Sequence, residues 1–335
     1  MAAATGAVCL AHLDPAAYPR HGLHAADRHW PETNCYVDLW IELLNSLGFD
    51  PCAALPFTVG QDFEGDQFTF FKFPPEDLAT LFDLAVQELA IYDSVEVHTL
   101  EQLRRGRLVL VEVDSYYLPD TRGTSYRQTH GKTTVAINRL DLAGRRLDYF
   151  HNAGYYTLEG EDFDGVLRHV PAPRAGEEAM FPYVEFVKRG TATVAADALA
   201  AVSRQLLRAH LARRPRQNPI AAFKAAFPAH LDVLAQRPLE FFHLYAFNTL
   251  RQLGANFELL GSYLGWLGRH GDKGLDEAAA QCAQIAAGAK TLQFQLARAV
   301  ARKRFDKLDA PLDGLAQLYD RIFGELTARY GAPPA

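Results

Sequence analysis

A cysteine where a helix begins and a histidine where a strand begins are the residues of this 335-residue chain best suited to covalent chemistry. Cys35 stands in Glu32-Thr33-Asn34-Cys35-Tyr36-Val37-Asp38. Val37, Trp40, Ile41, Leu44 and Leu47 follow at helical spacing, Gly48 is a stop signal, and Thr33 or Asn34 can cap the start. The free amides and dipole of a helix N-terminus stabilise a thiolate and can hold an oxyanion formed when that thiolate attacks a carbonyl. The plain alternative is a small buried side chain, the commoner fate of a lone cysteine. His130, in Thr129-His130-Gly131-Lys132, opens a strand and can serve as base to a thiol, given a third group to fix its tautomer. Asn152, at the end of the next strand, is preferred for that place. Asp148 and His151 are alternatives, strand alternation putting Asp148 and Asn152 on one face and His151 on the other.

These residues need a helix and a sheet to hold them. The helix runs from Cys35 to Leu47. The spacing predicts a second over Pro75 to Leu89, with Leu78, Leu81, Phe82, Ala85 and Leu89 on one face. Leu108 to Tyr116 is the clearest strand. Thr133 to Leu140 and Arg146 to His151 follow as a hairpin through Leu142-Ala143-Gly144, with weaker strands at Phe68 to Phe73 and Tyr183 to Val187. Pro171 to Pro182 reads as a loop or linker. From Val194 onward the pattern is helical: about 195–213, 219–235, 239–268, 276–305 and 312–330. Gly254, Gly261 and Gly265 mark the third of these as weak or closely packed.

Composition narrows the function classes. Apolar residues make up 49% and charged residues 22%, as in a globular chain. A net charge of −6 lacks the basic footprint of a nucleic-acid binder. No apolar run reaches the roughly 20 residues that span a bilayer, and Met1 to Leu10 lacks the basic flank of a signal peptide, so no membrane role and a cytoplasmic location are expected. Cys9, Cys35, Cys52 and Cys282 include no Cys-x-x-Cys pair, which suits free thiols. His21, His24 and His29 match no zinc pattern, so no metal and no permanently bound cofactor are expected.

A cysteine opening a helix, a histidine opening a strand and a polar residue closing the next strand follow the order of papain-like folds. Leu108 to Phe163 resembles the N-terminal domain of the butirosin-pathway carrier-protein acyltransferase and related bacteriocin-processing cysteine peptidases. The carrying residues are Val111-Glu112-Val113-Asp114-Ser115-Tyr116-Tyr117-Leu118-Pro119, His130, Val135 to Asp141, Asn152-Ala153-Gly154, and Leu158 to Phe163. Where that family more often has Asp, this chain has Asn152. With the Cys35 segment (Thr33 to Pro51), the chain is most similar to a bacterial family known as domain of unknown function 1839, whose members sit beside genes for carrier proteins and their amino-acid ligases. The resemblance implies an α+β fold, with a papain-like domain over 1–190 and a helical domain over 191–335 covering the cleft. It implies transfer of an acyl or aminoacyl group from the phosphopantetheine thioester of a carrier protein, through Cys35, to a small-molecule amine or hydroxyl. A cysteine hydrolase and a non-catalytic carrier-protein-binding protein are the alternatives.

Other groups join this expectation. Asn34 or His29 is a candidate oxyanion donor. Asn248 and Arg251 belong to a polar stripe with Ala255, Glu258 and Ser262 that suits a lined cleft or a buried Arg–Glu network. Arginines near 204–216 and basic residues near 298–307 suit docking of an acidic carrier, or simply a solvated helix face.

Overall fold

The computed structural model of the chain describes residues 5–169, 181–192, 194–305 and 308–331. It divides into two units: residues 1–22, 35–49 and 78–193 form the first, and residues 23–34, 50–77 and 194–335 the second. The chain therefore enters the second unit twice before reaching its long helical half.

The first unit is an antiparallel sheet with helices. In chain order its elements are β1 (Gly6–Val8), α1 (Cys35–Ser46), the end of α2 (Pro75–Phe82), β2 (Leu84–Glu88), α3 (Val95–Arg104), β3 (Val109–Asp114), β4 (Lys132–Asp141), β5 (Arg146–His151), β6 (Gly154–Glu159), α4 (Glu161–Val166) and β7 (Val184–Arg189). The strands lie in the order β2-β7-β3-β4-β5-β6, with β1 also on β4. Every pairing is antiparallel.

Strand alternation gives the sheet two distinct faces. Val109, Val111 and Val113 of β3, Val135 and Ile137 of β4, and Leu147 and Tyr149 of β5 share one core with Leu100 and Leu103 of α3 and Phe163 and Val166 of α4. The other face carries α1. Tyr36 donates to Glu185 of β7 at 3.0 Å, and Glu185 stands opposite Leu110 in the register. From Tyr36 to Leu44 every residue of α1 is buried, as expected of a helix apolar nearly all round. Its one internal carboxylate on this stretch beyond Asp38, Glu42, takes the Tyr18 hydroxyl at 2.7 Å and the His21 amide at 3.0 Å, which offsets the cost of burying it.

Just past the end of α1, Leu47 lines a small cavity with Leu84, Gly106 and Leu108, at the end of the sheet where β3 starts.

Two expectations are corrected here. The helix starting at Pro75 ends at Phe82, and Leu84–Glu88 is instead an edge strand on β7. Asp83 adopts a left-handed φ of 52° and accepts from the Ala192 amide at 2.9 Å, so the helix breaks and sheet pairing takes over. Phe68 to Phe73 forms no strand beyond a single bridge, Phe63 to Phe68. Phe68, Phe71 and Phe73 are buried there without strand pairing along the segment. Most of the loop expected over Pro171 to Pro182 lies outside the described residues.

The second unit contains α5 (Ala196–Arg213), α6 (Pro219–Gln236), α7 (Leu239–Ala246), α8 (Gln252–Arg269), α9 (Asp276–Arg302) and α10 (Ala310–Tyr330). The helix expected over 239–268 is interrupted by a π-helical turn, Phe247–Arg251. Thr249 and Asn248 donate back to the carbonyls of Tyr245 and Leu244, a competition that loosens the ladder. Gly254 and Gly261 are packing sites: a Cβ on Gly254 would stand 2.3 Å from Trp30 Nε1, and one on Gly261 3.2 Å from Cys282 Cβ. Gly254→Ala is expected to cost about 1–3 kcal/mol by overpacking, more than the roughly 1 kcal/mol it gains in helix propensity. A urea midpoint above the parent's would show that Trp30 yields at less cost than the propensity gain.

Candidate functional site

His130 lies two residues before β4 and shares the α1 face with Asp114, the last residue of β3. Its Nδ1 stands 2.6 Å from Asp114 Oδ2. The carboxylate is itself held, with Oδ1 accepting from the Tyr116 amide at 3.0 Å and the Gly131 amide at 3.1 Å. The Tyr116 ring stacks on the imidazole at 4.3 Å and 13°. An ionised carboxylate only accepts, so Nδ1 carries the proton and Nε2 is left with the lone pair in the neutral ring. Nε2 has no hydrogen-bond partner among the described residues, and the side chain is 63% exposed. The pair opens into a cleft of about 490 Å³, lined also by Glu112, Lys132, Arg168 and Tyr183.

Cys35 does not line that cleft. It is half-buried and opens α1, the helix on the same face of the sheet. The structure brings His130 and Asp114 into direct contact.

Asn152 follows β5 in a tight turn with a φ of 45°. It is not the partner of His130, whose Nδ1 is taken by Asp114 from the strand on the other side of β4. Asp148 is 1% exposed and committed to Arg146 at 2.9 Å and Arg139 at 2.8 Å. His151 belongs to the opposite face. Its Nδ1 lies 2.5 Å from Asp120, which also takes the Tyr149 hydroxyl, and its Nε2 lies 2.8 Å from Thr133 Oγ1. Both ring nitrogens of this buried histidine are used, which leaves it no proton to exchange with a substrate.

The remaining candidates belong to the second unit. Asn34 spends its side-chain amide on Phe71 O at 3.1 Å and Gln252 Oε1 at 3.3 Å, so that side chain has no donor left for an oxyanion. His29 is exposed, and its backbone amide donates to Glu258 at 2.9 Å. Arg251 donates from Nε to Thr33 O at 2.7 Å and stands 3.5 Å from Glu32. Arg251, Gln252 and Asn34 therefore tie down the three residues that precede Cys35. Asn248 sits in the π-helical turn, bonded to the Leu244 carbonyl.

Asp114 is the member that sequence reasoning passed over. Its signal was the alternation in Val111-Glu112-Val113-Asp114, which turns both carboxylates away from the valine face. Among the described residues no cluster of three or more His, Cys, Asp or Glu side chains is arranged to hold a metal ion, and no helix is long and apolar enough to cross a membrane.

The other thiols are chemically quieter. Burial pushes Cys9 up to about 11 and Cys52 up to about 12, and raises Cys282 further. At pH 8 only about one Cys9 in a thousand is thiolate on that basis. Iodoacetamide at pH 8 is expected to label Cys35 first, read by peptide mass mapping. Equal or faster labelling of Cys9 would contradict this order.

No curated protein matches the chain. Two family models do: the DUF1839 N-terminal domain over residues 19–189 and the DUF1839 C-terminal domain over residues 196–328. Together they cover most of the sequence, and the chain belongs to the DUF1839 family.

Proposed function

We propose that this protein is a cysteine-dependent acyltransferase with a papain-like catalytic arrangement, in which Cys35 is the nucleophile, His130 the base and Asp114 the orienting acid. The observation that carries the reading is the Asp114–His130 pair, held at 2.6 Å with its Nε2 bare, in the same unit as the helix that Cys35 opens. A carboxylate on Nδ1 stabilises the imidazolium as well as fixing the tautomer, which an asparagine does less well.

His130 Nε2 takes the Cys35 proton, and the thiolate attacks the acyl carbonyl of a thioester. The Cys35 amide at the helix N-terminus holds the oxyanion. The C–S bond of the donor breaks, and its thiol leaves with the proton from His130. An amine or hydroxyl then attacks the acyl-cysteine and gives its proton to the same nitrogen, and the returning Cys35 thiolate recovers it. The donor best suited is the phosphopantetheine thioester of a carrier protein, and the acceptor a small molecule.

A second reading has its own support. The 63% exposed imidazole admits water, which would make the same residues a hydrolase. Intact-protein mass spectrometry after mixing with an acyl-pantetheine thioester tests both. An adduct on Cys35 that decays only when an amine is added supports transfer, and one that decays in water alone supports hydrolysis. No adduct with any thioester carrier would reject the catalytic reading.

A further inference from the structure

The small cavity past the end of α1 lies wholly within the first unit and has no part in the acyl-transfer reading. It encloses about 220 Å³. Leu10, Leu47, Leu84, Leu108 and Val187 form its walls, the last three of them buried. Gly106 and Arg189 are the exposed members of the lining, so the cavity opens to solvent beside them. Strand geometry brings the wall and the mouth together. Val187 and Arg189 of β7 point to one face, and Leu84 of β2 stands opposite Arg189 in the register. The Val187 amide donates to the Leu108 carbonyl at 3.0 Å, which fixes the third side.

Few polar groups face this space. Cys9 lines it, and burial pushes that thiol up to about 11, so at neutral pH it is an uncharged, weakly polar surface. Arg189 is the charged side chain of the lining. Its guanidinium rests over the Phe49 ring at 5.3 Å, and Phe49 stacks on Phe82 at 4.7 Å. The Arg189 side chain has no hydrogen bond or ion pair among the described residues. Asp83, next to Leu84 in the chain, gives its carboxylate to the Ala192 amide at 2.9 Å instead. A leucine-walled space holds water poorly, and the planar fork at its mouth lacks the carboxylate that fork geometry matches.

We infer that this cavity binds a short aliphatic carboxylate, its chain among the leucines and its carboxylate on Arg189. Size sets the length. An apolar cavity of about 150 Å³ takes benzene, so this one takes a chain of about six to eight carbons. No acidic side chain lines it, so an α-amino acid would leave its ammonium without a partner there. Leu108 stands just before β3 and Asp114 ends it, which sets the site about 20 Å along the strand from the His130–Asp114 pair. The ligand is held at a second site, beside a thiol too weakly acidic to attack it, and its binding does not depend on the chemistry of Cys35.

Calorimetric titration of the full-length protein with hexanoate reads the site. Saturable binding is expected, weakened about 10-fold or more in Arg189→Gln. Acetate, which brings the carboxylate without the chain, should bind at least about 10-fold more weakly than hexanoate. Arg189 is exposed, so its variant should fold as the parent does. Leu47→Phe, which fills the cavity from a half-buried wall, should abolish binding. Hexanoate should also slow iodoacetamide labelling of Cys9 at alkaline pH while leaving that of Cys35 unchanged. No saturable binding, equal binding in Arg189→Gln or Leu47→Phe, acetate as tight as hexanoate, or an unprotected Cys9 would each overturn the inference.

Discussion

Cys35→Ala protein is expected to lose acyl transfer by a factor on the order of 10⁴ or more, because the loss removes the covalent intermediate itself. The fold should tolerate the change. Cys35 is half-buried at the first residue of α1, and the anchoring contacts of α1 come from Tyr36, Glu42 and the apolar residues between them. Denaturant midpoints of the variant and parent should therefore agree closely while the acyl-enzyme signal disappears. A fully active Cys35→Ala protein would end the proposal outright. Cys35→Ser adds a finer test: the alkoxide is far harder to form than the thiolate at neutral pH, so an oxygen in the same place should recover little of the rate.

The second large effect belongs to Asp114. In Asp114→Asn the amide can donate to Nδ1, which turns the imidazole to the tautomer with its proton on Nε2 and its lone pair away from the thiol. The expected loss in kcat is about 10³–10⁴-fold. Oδ1 also accepts from the Tyr116 and Gly131 amides, so a glutamate, one methylene longer, should restore little. Asn152→Ala, by contrast, should change kcat by no more than about three-fold, since Nδ1 of His130 is already occupied by Asp114. The pH profile of Cys35 alkylation separates this from a structural effect. The parent and Asn152→Ala should share one profile, and Asp114→Asn and His130→Ala another, shifted toward alkaline pH. A strong loss in Asn152→Ala with Asp114→Asn active would return the third place to the asparagine.

Particular residues explain how far the sequence could be read. The β-branched run at Val109 to Val113 and the helical spacing after Cys35 announce β3 and α1, because packing there rewards local pattern. Leu84 to Glu88 misleads, since its apolar residues also continue the spacing of α2. Only the left-handed Asp83 and the pairing with β7 decide the matter. Asp114 belongs to the strand segment that the sequence marks, yet its contact with His130 depends on the register that sets Asp114 opposite Lys132, a long-range fact with no local signature. His151 was correctly separated from Asp148 by alternation, but its buried partner Asp120 lies 31 residues away. The π-helical turn at Phe247–Arg251 had no signal beyond the polar Asn248 and Thr249 in an otherwise apolar stretch.

The two early excursions of the chain into the helical unit bear on how this protein can be taken apart. A gene cut at residue 190 would look natural, because it falls between the two family regions. It would strand Leu23–Asn34 and Asp50–Asp77 on the wrong fragment. Trp30 would lose Ala286, Phe68 would lose Phe223, and Thr58 would lose Asn256. The N-terminal fragment would then display several large aromatic side chains with nothing to cover them. The two halves are interleaved rather than fused, so neither can be exchanged, tagged at the joint or shuffled with a homologous half as an independent cassette.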